Sequence, residues 1–143
     1  MKNLGKLLAK SWLDKTFLNL DTLNAKDIPS TRKEAFEAQN FFYQSINKKT
    51  VGWKIGAVAK EVQEEEGYDG PVPGKIFEDT FLQINTNIDF NDIPHSNLEC
   101  EYALQFLKDS KIDNDLDKDL NQIKLFTAID ITSTRYEQTS KYK

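Results

Sequence analysis

At 143 residues the chain is long enough for a domain with its own apolar core, and 38% hydrophobic residues, rich in Phe and Tyr, exclude a compositionally disordered protein. A net charge of -4 supplies no general attraction for nucleic acid or an anionic membrane, and no apolar run approaches the ~20 residues that span a bilayer. Cys100 is the only cysteine, so an intrachain disulfide is excluded and a reducing, cytoplasmic location is expected.

Leu4, Leu7, Leu8 and Trp12 recur at helical spacing and predict an amphipathic helix whose stripe packs on the core. Lys6 and Lys10 break its apolar run and no clean small-residue cleavage site follows, so the segment reads as a helix and not a signal peptide. Asp27-Ile28-Pro29-Ser30 reads as a loop. Thr31 with Glu34 is a capping-box pattern, and Ala35, Ala38, Phe42 and Ile46 continue one face, predicting a second helix over about 31–47.

The character changes after Lys48-Lys49. Val51-Gly52-Trp53-Lys54-Ile55-Gly56 is β-branched and aromatic and reads as a short strand. Residues 60–66 predict a short helix stopped by Gly67, with Glu61, Glu64, Glu65 and Glu66 as a solvated face and not a metal site. Gly70-Pro71-Val72-Pro73-Gly74 reads as a rigid, turn-rich loop, with short strands expected around Ile76-Phe77 and Phe81–Ile84. No internal repeat is evident. The organisation expected is α+β: a helical N-terminal segment, 1–49, and a β-rich region, 50–143.

Leu98-Glu99-Cys100-Glu101-Tyr102-Ala103-Leu104-Gln105-Phe106-Leu107 carries the most information. As a strand it places Leu98, Cys100, Tyr102, Leu104 and Phe106 on one face and Glu99, Glu101, Ala103 and Gln105 on the other. The two glutamates then stand about 7 Å apart along the strand. Like charges this close call for a compensating cation or solvent, and a hard divalent ion suits carboxylate oxygens. On spacing alone, two glutamates in water on a surface strand is the stronger reading. In Leu125-Phe126-Thr127-Ala128-Ile129-Asp130-Ile131-Thr132, Asp130 is an acid within an apolar β-type run, costly to bury unless paired or bound to metal. Exposure at a strand end is the other reading. Lys54 is open in the same way, either reaching water or turned into a site where it would stabilise an enolate.

Read in order, these segments resemble the 2-keto-4-pentenoate hydratase family, within the fumarylacetoacetate hydrolase-like superfamily. Glu34-Ala35-Phe36-Glu37-Ala38-Gln39 resembles a family helix, and Val51–Gly56 its Gly-aromatic-Lys-Ile-Gly strand. Gln63, Pro71 and Gly74 resemble the helix and loop that follow. Leu98–Ala103 resembles the Glu-x-Glu strand, and Ala128-Ile129-Asp130-Ile131 the strand with a third acid. Each piece is weak alone; the ordered set is specific and reverses the balance for the glutamate pair.

The resemblance implies a fumarylacetoacetate hydrolase-like β-fold, truncated relative to the family. It implies Mg²⁺ or Mn²⁺ held by Glu99, Glu101 and Asp130, a small 2-keto acid substrate, and Lys54 as a catalytic, substrate-binding residue. The activity implied is hydration of a 2-hydroxy-2,4-dienoate, as in aromatic catabolism; related members decarboxylate or hydrolyse. A truncated chain predicts a homo-oligomer or a complementary chain, and a non-catalytic remnant or structural subunit is the reading from another class. This sequence departs from the family at three places. Asp130 stands where Glu is usual, Ala57-Val58-Ala59 follows the Lys-Ile-Gly strand in place of hydroxyl residues, and Thr132-Ser133-Thr134 precedes Arg135 where an Asp is usual.

Other signals lead elsewhere. Asp113, Asp115 and Asp117 open like a calcium loop, but Lys118 and Lys124 stand where glycine and a bidentate glutamate are needed. His95 is the only histidine and reads as a loop residue; Cys100 reads as structural. There is no Gly-rich phosphate loop.

Overall fold

The computed structural model describes residues 1–107 and 122–137. They form two compact units, one of residues 1–88 with 135–137, the other within Asp89–Thr134.

In the first unit, α1 (Lys2–Leu13) packs on α2 (Arg32–Ile46). Leu4 and Ala9 of α1 and Ala38 of α2 are buried at the contact. The helices approach unusually closely at Gly5, where a Cβ would lie 2.5 Å from the Ala38 carbonyl oxygen and 2.5 Å from Phe41 Cβ. Thr31 caps α2 as the sequence predicts, its hydroxyl accepting from Glu34 N–H at 3.2 Å. The reciprocal half of the box is displaced by one residue: the Glu34 carboxylate accepts from the Ser30 amide and hydroxyl, both at 2.8 Å. Those bonds hold its carboxyl below the ordinary carboxylate range. Asn47 ends the helix in the left-handed conformation.

β1 (Thr50–Gly56) pairs antiparallel with β2 (Val72–Phe77), and α3 (Lys60–Glu66) lies between them in sequence, stopped by Gly67 at φ 70°. Two expectations need correction here. Val72, Pro73 and Gly74 belong to β2, not to a turn, Pro73 standing opposite Ile55. Proline is admitted because both strands of a two-stranded ladder have an unpaired edge. Phe81–Ile84 is not a strand. A 3₁₀ turn at Glu78–Thr80 ends β2, with Thr80 Oγ1 bonded to both the amide and the carbonyl of Phe77.

The hairpin belongs to the helical unit. Phe77, 5% exposed, joins Ala9 and Ile46 in one cluster with Trp12, Phe42 and Tyr43 against it. The rings meet edge to face, Trp12 on Phe77 at 6.1 Å and Tyr43 on Phe77 at 6.0 Å between centroids. Polar bonds from α2 hold the backbone of β2 and the residues before it. Gln39 Nε2 donates to Pro73 O at 3.0 Å, the Lys75 amide donates to Tyr43 Oη at 3.0 Å, and Arg32 donates to the Gly70 and Pro71 carbonyls. The strands thus begin where the composition changes, near residue 50, while the compact units divide after Ile88.

In the second unit β3 (Asn97–Phe106) pairs antiparallel with β4 (Ile123–Thr132) in an unbroken ten-residue register. Asp113, Asp115 and Asp117 lie outside the described residues. Among the described residues no helix is long and apolar enough to cross a membrane.

Candidate metal centre

Directly opposed residues of an antiparallel pair share a face. The register sets Leu98, Cys100, Tyr102, Leu104 and Phe106 against Ile131, Ile129, Thr127, Leu125 and Ile123 on one face. On the other, Glu99 faces Asp130 and Glu101 faces Ala128. Because Glu99 and Glu101 are two residues apart, three carboxylates converge, and an oxygen from each lies within 4.8 Å of the other two. Glu99 is exposed and Asp130 half-buried.

Two ionised carboxylates at such a separation repel by about 1 kcal/mol in water and about 3 kcal/mol at a surface dielectric of 20. A divalent cation turns that repulsion into attraction, and an all-oxygen donor set suits Mg²⁺, Ca²⁺ or Mn²⁺. Two oxygens on one Mg²⁺ stand at most about 4.2 Å apart, from bond lengths of 2.0–2.1 Å. That limit holds for oxygens on opposite sides of the ion, and adjacent ones stand about 2.9 Å apart, so the three carboxylates, oxygen donors on one face, fit such an ion once side-chain rotation draws them closer together.

A further polar group stands beside the three. Thr132 Oγ1 donates to Glu99 Oε1 at 3.5 Å. The signal for it is in the sequence, since Asp130 and Thr132 are two apart in a strand and share its face. What the sequence does not give is the register that puts Thr132 next to Glu99.

Lys54 lies in the other unit, on β1, half-buried and opposite Gly74. Gly52, Gly56 and Gly74 occupy the positions around it on its own face of the hairpin, and a Cβ at Gly56 would lie 4.0 Å from Lys54 Cε. Glycines give the lysine stem room on that face. After Gly56 the chain turns at Ala57, whose φ of 51° is left-handed, and Gln63 Nε2 donates to the Ala57 carbonyl at 2.7 Å. Cys100 is exposed on the face opposite the carboxylates. His95 lies in the loop before β3 with φ 52°.

No protein-family model matches the sequence, and no curated protein matches it. Among solved structures it is similar to 4-oxalocrotonate decarboxylase from Pseudomonas putida G7, determined with magnesium and adipate. The TM-score is 0.77 at 17% identity, over 97% of this chain and 54% of that one. The two share a fold. Helices followed by antiparallel strands, an α+β arrangement, are what the sequence led one to expect. The chain spans about half the length of that decarboxylase.

Proposed function

We propose that this chain carries the cation-binding part of a lyase-type hydratase that adds water to a 2-hydroxy-2,4-dienoate, with Glu99, Glu101 and Asp130 as ligands of Mg²⁺ or Mn²⁺. The observation that carries the proposal is the convergence of three carboxylates on one face of β3–β4. It occurs in a fold whose solved relative was complexed with magnesium and with adipate, a linear dicarboxylate. A divalent cation there supplies Lewis acidity toward the keto oxygen and neighbouring carboxylate of a 2-keto acid.

The chain's own groups do the rest. The two glutamates and Asp130 provide the negative charge that retains the ion, and the substrate carboxylate is drawn to the same place. As the dienol becomes a keto-enone and water adds to its distal carbon, negative charge develops on the keto oxygen. Lys54 supplies the compensating positive charge in this proposal, a role that rests on the sequence resemblance. A 2-keto acid decarboxylase is the second reading, favoured by the activity in the name of the solved relative.

The full chain with Mg²⁺ or Mn²⁺ is expected to bleach the ultraviolet absorption of a 2-hydroxy-2,4-dienoate without releasing carbon dioxide. Lys54→Met is expected to lower that rate by about a hundredfold or more, the loss typical of an electrostatic stabiliser. Carbon dioxide release from a 2-keto acid would move the assignment to decarboxylase. A folded protein that binds metal but turns over neither substrate would contradict both, and its elution volume would show whether a second copy or a complementary chain accompanies it.

A further inference from the structure

We propose that Thr132 is a positioning residue for Glu99, fixing the rotation of its carboxylate at the cation site; this rests on the reading of Glu99, Glu101 and Asp130 as ligands. Thr132 ends β4 two residues beyond Asp130 and projects from the same face. The register pairs Asn97 with Thr132 and Glu99 with Asp130, so Thr132 is the diagonal neighbour of Glu99. Its hydroxyl is directed at Glu99 Oε1 at 3.5 Å, longer than an ordinary O–H···O bond, and gives that carboxylate a polar neighbour on β4 besides Asp130 across the register.

Asp130 and Glu99 do not need the same help. Asp130 is short and half-buried, so its carboxylate has few places to go. Glu99 is longer and exposed, and loses more rotamer freedom when it is ordered. Threonine is suited to holding it, because a β-branched side chain is stiff at χ1 and the strand pairing fixes its direction. A hydroxyl on one carboxylate oxygen orients the other, which is how an outer partner raises the affinity of a ligating carboxylate. Nothing apolar of the same shape does this, so the hydroxyl and not the bulk of Thr132 is what matters.

The test is calorimetric titration of the full chain with Mn²⁺, comparing wild type, Thr132→Val and Thr132→Ser at matched melting temperature. Thr132→Val is expected to weaken Mn²⁺ binding by about tenfold or more, within the range for outer-sphere partners, while Thr132→Ser stays near wild type. If the valine variant does not fold, Thr132→Ala takes its place against the same serine control. Wild-type affinity in the hydroxyl-free variant, or equal loss in the serine variant, overturns the positioning role alone. Absence of Mn²⁺ binding in wild type overturns the ligand reading and this inference with it.

Discussion

At the scale of single residues, the outcome at each position depends on which of two competing effects is larger. Gly5 sits inside α1, where replacing glycine by alanine ordinarily gains about 1 kcal/mol of helix propensity. Its Cβ would fall 2.5 Å from the Ala38 carbonyl oxygen, so the helices would have to move apart. Overpacking of that kind costs about 1–3 kcal/mol and outweighs the propensity gain. Gly5→Ala is therefore expected to lower the urea midpoint of the helical unit, and an unchanged or raised midpoint would show that the helices yield freely. The sequence announced the apolar stripe of α1 but not this close approach, because a glycine carries no hydrophobic signal. The same holds for the Glu34 carboxylate, whose pattern predicts a box with Thr31 and whose bonds go to Ser30.

At the scale of elements, local pattern was legible and pairing was not. α2 and β3 lie within a residue or two of where their periodicity puts them, the stripe Leu4, Leu7, Leu8 and Trp12 falls within α1, and β4 begins two residues before the apolar run read from Leu125. The short runs divided, since Val51–Gly56 and 60–66 are the strand and helix expected while 70–74 and Phe81–Ile84 differ. Phe81–Ile84 follows the 3₁₀ turn that ends β2 and forms no strand, and Pro73 looks like a turn until its partner Ile55 is known. Pairing between β3 and β4 could not be read at all, since register comes from contacts between segments. It is the register that converts two glutamates and an aspartate into one cluster.

The contact between α2 and β2 also has a pH signature. Burial raises the Tyr43 phenol above its ordinary value of 10.0, against a smaller opposing effect from the Lys75 amide it accepts. A folded-state value above the unfolded one means that protons are held more tightly in the folded protein. The stability contributed by the neutral phenol is complete below about pH 10 and is lost as pH rises from there through the folded value. Tyr43→Phe is expected to flatten the fall in melting temperature above pH 10, although it also removes the acceptor for the Lys75 amide and lowers stability at neutral pH. An equally steep alkaline fall in the variant would show that Tyr43 is not its source.

At the scale of the whole molecule, the described strands form two-stranded sheets that leave much apolar surface in view. Tyr102 is 80% exposed, Ile129 68% and Leu125 65%, all on the face of β3–β4 opposite the carboxylates. One chain thus carries its polar chemistry on one side of a ribbon and its hydrophobic surface on the other, in a fold where the solved relative is about twice as long. The cation proposed for Glu99, Glu101 and Asp130 is open to direct measurement. Calorimetric titration of the full chain with Mn²⁺, beside Glu99→Gln, Glu101→Gln and Asp130→Asn, tests it most directly. About one ion per wild-type chain and a loss of affinity of at least about tenfold in each variant are expected. A folded wild-type protein that takes up no ion, or variants that bind as tightly as wild type, would contradict it.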